Sequence, residues 1–396
     1  MTDPLHFTQR ISAPPQIVHH AFTRPMLIRQ WLCDFAFVAP ENSFFLVWND
    51  GSRVMGALLQ DEPDHLILSW QNANDGALSQ VEIAISPAEG GSSVTVTHVN
   101  LPDSAREAAE TFWTTALNQL RIALETGSDV RLEKRPMLGI FPSQLDAEKA
   151  ARIGVPVERG IYIDGVIEGK SAAAAGLKSG DVLVAIDGFP TLSFQNLTSA
   201  LARLTPGSTV SVEFYRGAEK MTLTVSLSGR DQKPAPSTPS ALAEALRAQY
   251  AALDAELDAI THDMPEDAME HAPADGDWSA NEVLAHLIFT ERWLQMYIWL
   301  CASGDDNLVW IDNNAAQRAG ILQRYQTGAE LVDALKRAEA ETVAAALALP
   351  ASFVAMKPAF ARMSEVLVTM DDHTKEHFEQ MRAALAHWRE TATAAG

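Results

Sequence analysis

Histidine spacing is the first place where this chain offers chemistry. His373 and His377 stand four residues apart, so on a helix both leave the same face with Cβ atoms about 5–6 Å apart. The positions around them, Val366, Met370, Met381, Ala384 and Trp388, continue the same apolar stripe. On an earlier segment the stripe runs Val283, His286, Thr290, Trp293 and aims a third imidazole inward. Three imidazoles converging on one interior suit a divalent metal that keeps a position open for water or substrate. As a bare pattern His-x-x-x-His is weak, because 11 histidines in 396 residues give roughly 0.3 such pairs by chance. Its place on an apolar stripe strengthens it, since an unpaired buried imidazole is costly. Histidines satisfied inside a core are the competing reading. His262, His271 and His387 fall off the pattern and read as surface or loop residues.

Four amphipathic helices must position these side chains. Ser237-Thr238-Pro239 opens the first, whose Leu242, Leu246, Tyr250, Leu253, Leu257 and Ile260 repeat at helical spacing. Ser279-Ala280-Asn281-Glu282 and Thr327-Gly328-Ala329-Glu330 read as capping boxes that open the second and third. The fourth is expected from about 362 to 389, and together they predict a four-helix bundle over residues 241–396. Asp277-Trp278-Ser279, then Leu284-Ala285-His286-Leu287, and finally Asp372-His373-Thr374-Lys375-Glu376-His377 resemble the DinB-like (YfiT-like) metal-binding bundles. That resemblance implies zinc, nickel or a similar divalent ion on His286, His373 and His377. It also implies that a low-molecular-weight thiol can serve as cofactor, as in those members that are thiol-dependent transferases.

Ahead of the bundle, the Pro-rich stretch 231–240 reads as a linker. Before it lies the most legible part of the chain, residues 129–230. Arg135-Pro136-Met137-Leu138-Gly139-Ile140 is followed by Gly160-Ile161-Tyr162-Ile163-Asp164-Gly165-Val166. Ser171–Ala175 is an Ala-rich helix closed by Gly176, and Gly180-Asp181 turns into a strand that buries Val182, Val184 and Ile186. A helix from 193 to 204 and two strands around Arg216-Gly217 complete the unit. Order and spacing resemble a PDZ domain of the bacterial HtrA-protease type, a partly open β-barrel. Such domains add a peptide strand to a sheet edge and receive its terminal carboxylate in a backbone loop. Carried over by position, that loop is Leu138-Gly139-Ile140, with Leu197 and Leu201 lining the pocket for the last apolar side chain. The expected partner is a C-terminal or internal peptide of another protein, unless the groove holds a segment of this chain. Nothing in the sequence resembles the Gly-x-Ser-Gly nucleophile segment of the proteases that carry such domains, so no serine protease activity is expected.

Residues 1–128 read mostly as strands. Asn49-Asp50-Gly51 joins two of them as a hairpin, and Asn74-Asp75-Gly76 divides two more. Val94 and Val96 alternate with Thr95 and Thr97, the period of a half-buried strand, and a helix from 104 to 125 closes the segment. Ile11-Ser12-Ala13-Pro14, Arg29-Gln30-Trp31 and Leu66-Ile67-Leu68-Ser69-Trp70 resemble the SRPBCC (START-like) helix-grip fold, nearest to homologues of the heat-shock-protein ATPase activator. Trp31, Phe45, Trp48, Trp70 and Trp113 are then candidates to line a cavity for a small apolar ligand, with plain core packing as the alternative.

Composition limits the partners. The formal charge is −21, distributed as −8, +1 and −14 over residues 1–128, 129–230 and 231–396. Neither nucleic acid nor an anionic membrane is an expected partner, since both require a cationic face. Met1–His6 has neither the basic nor the apolar region of a signal peptide, and no apolar run approaches the roughly 20 residues of a membrane span. Cys33 and Cys301 make no metal knot and no disulfide framework, so a cytoplasmic location is expected. The expected fold class is multidomain α+β: helix-grip sheet, PDZ domain, all-α bundle. The expected function is a multidomain binding protein, adaptor-like or stress-related, with a metal-dependent transferase or hydrolase as the alternative.

Overall fold

The computed structural model describes residues 3–39, 42–73, 76–230, 235–274, 277–304 and 315–395. The chain divides into two compact units, residues 1–232 and 233–396. Residues 74 and 75 of one expected turn, and 231–234 of the expected linker, lie outside the described residues.

The first unit begins with β1 (Leu5–Ile11), α1 (Pro15–Thr23) and α2 (Pro25–Ile28). Six strands follow: β2 (Phe35–Val38), β3 (Ser43–Val47), β4 (Arg53–Glu62), β5 (His65–Asn72), β6 (Leu78–Ala88) and β7 (Gly91–Val99). They pair antiparallel in the order β1-β7-β6-β5-β4-β3-β2. Alternation sets the two faces of this sheet. Val94 and Val96 on β7 are buried, while Thr95 and Thr97 face out and hydrogen-bond Thr8 and His6 across the register. β4 must carry glycine at position 56, because a Cβ there would lie 2.0 Å from the Ser69 carbonyl oxygen.

Of the stripe expected on the helix α3 (Arg106–Thr126), Trp113, Ala116, Leu117, Leu120 and Leu124 are buried, and Ala109 and Phe112 are half-buried. Its last turn is tied to the start of the sheet by the Glu125 carboxylate, which accepts the Ser12 N–H at 2.9 Å. The sequence reading gave no strand for Phe35–Val38, a segment of only four residues at the edge of the sheet.

The same unit continues through α4 (Val130–Glu133), β8 (Pro136–Met137), β9 (Ile140–Gln144), α5 (Ala147–Ile153), β10 (Ile161–Val166) and α6 (Ser171–Ala175). Then come β11 (Asp181–Ile186), β12 (Phe189–Pro190), α7 (Phe194–Leu201), β13 (Thr209–Arg216), β14 (Glu219–Ser226) and β15 (Ser228–Gly229). The second sheet runs β14-β13-β11-β10-β9 with β12 beside β11, an open path that closes no barrel among the described residues. Its core joins Ile161, Ile163, Leu183, Val212 and Phe214 to Leu197 and Ala200 of α7. Asp181, 1% exposed, receives two Arg216 bonds at 2.8 Å and the Lys178 N–H at 2.9 Å, so the buried carboxylate is paired rather than stranded.

The second unit is helical: α8 (Pro239–Thr261), α9 (Glu266–Met269), α10 (Ala280–Ser303), α11 (Ala315–Arg324), α12 (Gly328–Leu347), α13 (Ala351–Val354) and α14 (Lys357–Ala395). Both α8 and α10 pack on α12 and α14, giving a bundle of four long helices. The Ser279/Glu282 box is reciprocal. At Thr327 it is not, because the Glu330 carboxylate turns to the Gln326 N–H at 2.7 Å instead. Of the line expected on α14, Met381 and Ala384 are fully buried, whereas Val366, Met370, His373, His377 and Trp388 are half-buried. Met363, Leu367, Phe378 and Leu385 on the adjoining face are buried as well, so the two histidines lie at the margin of the buried face.

Candidate functional site

The candidate peptide groove is built from β9 outward. β9 is the edge of its sheet. Leu145 N–H donates to Gly160 O at 3.1 Å and Ile167 N–H to Gly139 O at 2.9 Å, so the odd-numbered positions pair inward. By alternation Ile140, Pro142 and Gln144 present their main-chain polar groups to the free edge. Gly139 has φ +74, and among the described residues no main-chain acceptor meets the N–H of Leu138 or Gly139. With Ile140, that makes three successive donors, a concavity suited to an anion. Leu138 and Leu197 belong to the buried core, and Ile140 and Leu201 are partly buried against it. All five residues expected at this site are thus brought together.

In the helical unit, His286 from α10 meets His373 and His377 from α14, and one ring nitrogen from each lies within 4.8 Å of the others. The Nε2 atoms of His286 and His373 are 3.3 Å apart. That is the edge of a tetrahedron with metal–nitrogen bonds of about 2.0–2.1 Å. His377 Nδ1 bonds Gln380 Oε1 at 3.0 Å, which places the proton on Nδ1 and leaves the Nε2 lone pair for a ligand role. Nδ1 of His286 and of His373 are buried with no partner among the described residues, so the outer shell is supplied at one imidazole of the three. The donor set fits a divalent first-row metal. Burial, aided by the neighbouring imidazoles, lowers His286 to about 3 and His373 to about 4, keeping both rings neutral as ligands must be. Trp278 stacks on His377 at 5.9 Å, and the Arg318 guanidinium lies 4.2 Å above Trp278. His271 and His387 bond each other at 2.8 Å and take no part.

The bundle holds a second polar cluster that the sequence reading missed. Tyr250 Oη–H and Thr342 Oγ1–H donate to Glu291 Oε2 at 3.0 and 2.7 Å. Burial pushes the Glu291 carboxyl up to about 7. It pushes Glu339 up to about 9, with the neighbouring Asp254 and Glu291 adding to the rise. Both hold protons in the folded unit that the unfolded chain releases near 4.5. Their contribution to stability is therefore complete below that value and drains away as pH rises through about 7 and about 9. The expected loss between pH 6.5 and 9 is on the order of 3 kcal/mol. It is read from urea midpoints of the helical signal, and Glu339→Gln should flatten the slope. An unchanged slope in that variant would contradict the assignment.

In the helix-grip part, Trp48, Trp70 and Trp113 line a cavity of about 330 Å³, together with Phe112, Ser79 and His98. Trp31 is core: 1% exposed, it donates its indole N–H to Ala21 O at 3.0 Å, away from the cavity. Phe45 is on the outer face, because its neighbours Phe44 and Leu46 take the buried positions of β3. His98 was not foreseen, although the alternation that buries Val94 and Val96 reaches it two residues later. The Trp113 indole N–H donates to His98 Nδ1 at 3.0 Å, which fixes the proton on Nε2, 2.8 Å from Ser79 Oγ. Ser79 in turn donates to Trp70 O at 3.0 Å. Burial lowers His98 to about 4, so this ring stays neutral at the cavity wall.

Comparison with known proteins agrees with two of these parts. Residues 12–125 match the family model described as activator of Hsp90 ATPase homolog 1-like protein, and residues 136–227 match that of the PDZ domain. The chain is 33% identical over 94 residues to the periplasmic pH-dependent serine endoprotease DegQ of Escherichia coli, covering 24% of this chain and 21% of that one. It is 32% identical over 105 residues to the periplasmic serine endoprotease DegP of Salmonella typhimurium, covering 26% and 22%. It thus spans about a fifth of the length of these curated relatives. Among solved structures, protein MLL2253 of Mesorhizobium loti is 24% identical and covers 31% of this chain and 97% of its own, with a TM-score of 0.29. Among the described residues, no helix is long and apolar enough to cross a membrane.

Proposed function

We propose that this chain is an adaptor-like binding protein that captures the C-terminus of a partner in its PDZ groove and holds a divalent metal in its helical unit. The observation that carries the reading is the run of three N–H groups, Leu138 to Ile140, unengaged among the described residues, at the end of an open strand edge in one core cluster with Leu197 and Leu201. A terminal carboxylate matches those donors, and a short apolar side chain matches the pocket. The match of residues 12–125 to an Hsp90-ATPase-activator-like model supports a stress-related setting. The 330 Å³ cavity there is of a size for a small, mostly apolar ligand. The test is binding of labelled octapeptides with free and with amidated C-termini to the full chain. Amidation should weaken binding by about tenfold or more. Equal affinity for both forms would overturn carboxylate capture.

The metal, zinc or nickel, would be held by His286, His373 and His377. When bound, it would supply a Lewis-acidic position that lowers the pKa of a coordinated water or low-molecular-weight thiol. A second reading, a thiol-dependent transferase or hydrolase of DinB-like type, is favoured by Arg318. Its Nε is buried with no partner among the described residues, and its guanidinium covers Trp278 beside the imidazoles. There it would present a cation to an anionic group of a substrate or thiol.

A further inference from the structure

Resting on the reading of the groove as a peptide site, we propose that it takes only the last two or three residues of a partner's C-terminus, because Pro142 and a Gln144–Leu192 clasp end strand addition there. A ligand strand lying antiparallel on β9 meets the outward groups of Ile140, then of Pro142, then of Gln144. With the carboxylate on the N–H groups of Leu138, Gly139 and Ile140, the residue opposite Pro142 is the third from the ligand's end. That residue can donate its N–H to the Pro142 carbonyl. Its own carbonyl meets no donor, because proline has none. The inward register leaves no ambiguity about which side is affected, since the bonds at Leu145 and Gly139 put position 142 on the free edge.

The clasp acts at the next step of the ladder. Gln144 Nε2–H donates to Leu192 O at 3.1 Å, and Leu192 immediately precedes Ser193, the N-cap of α7. The same nitrogen lies 3.1 Å from Gly160 O, which holds the amide in place. Ile140 of β9 and Leu197 and Leu201 of α7 pack on one core cluster, so this contact ties the two elements together at the end away from the Leu138–Ile140 loop. Proline on an edge strand also blunts indiscriminate strand pairing. In this groove the same device sets the length of ligand that is read, and selectivity falls on the terminal carboxylate and the last side chains.

The test uses the full chain and a fluorescent octapeptide with a free C-terminus, selected from a random library, beside its last three residues carried on a polyethylene glycol spacer. Wild type should bind the two within about threefold of each other. Pro142→Ala/Gln144→Ala should gain about tenfold or more for the octapeptide and leave the tripeptide within about threefold. Pro142→Ala alone serves as the second variant if the double variant does not fold. A wild-type affinity that falls about tenfold on truncation, or variants that gain nothing for the octapeptide, would overturn the proposal. Failure of wild type to select any peptide with a free C-terminus would instead overturn the peptide reading, and this inference with it.

Discussion

Purified wild-type protein should contain about one equivalent of a first-row divalent metal, and the His373→Ala/His377→Ala variant should contain none. The expectation follows from where these rings are held. Three neutral imidazoles face one another, with the Nε2 atoms of His286 and His373 3.3 Å apart, and among the described residues no carboxylate is grouped with them. A metal bound through three ligands loses two in this variant, and one imidazole does not retain a metal through dialysis. Because His373 and His377 are half-buried at the margin of the α14 stripe, their truncation should leave the helical signal intact. Elemental analysis after dialysis decides the matter. Equal metal in both proteins, or none in wild type after loading, would make the rings packing residues. Gln380→Ala supplies a graded check, since loss of an outer-shell partner weakens metal binding by about 10–100-fold.

Gly139→Val should abolish capture of C-terminal peptides. At φ +74 a β-branched residue is strained, and a Cβ at this position would lie 2.3 Å from Lys170 Cβ. The loop must then move, and the three N–H groups lose their common direction. A reduction of about 100-fold or more is expected for an octapeptide with a free C-terminus, with metal content and helical signal unchanged. Leu201→Ala is the milder companion: it shortens one wall of the side-chain pocket without touching the loop, and about tenfold is expected. Wild-type affinity in Gly139→Val would show that the loop is not where the carboxylate is received.

Much of this architecture is written locally. Asp50-Gly51 turns one hairpin, the Ser279/Glu282 box opens α10, and the alternation at Val94 and Val96 fixes both faces of β7. The stripe of α3, from Trp113 to Leu124, is buried as its spacing predicts. The grouping of Leu138 and Ile140 with Leu197 and Leu201 is legible for the same reason: the first two flank Gly139 in sequence, and the last two lie one helical turn apart. Such features depend on residues a few positions apart, whose geometry the backbone itself supplies.

Tertiary packing decided the rest. On α14 the expected stripe is fully buried at Met381 and Ala384, but Leu367 and Phe378, packed into the bundle, turn the helix so that His373 and His377 stay half-buried at its margin. Phe44 and Phe45 are equivalent in sequence, yet only the register of β3 on β4 turns the first inward. The proton-holding cluster of Tyr250, Glu291 and Glu339 draws on three helices and has no local signature. Periodicity sets which residues share a face. Only the neighbour that covers a face determines whether it becomes core, cavity wall or site.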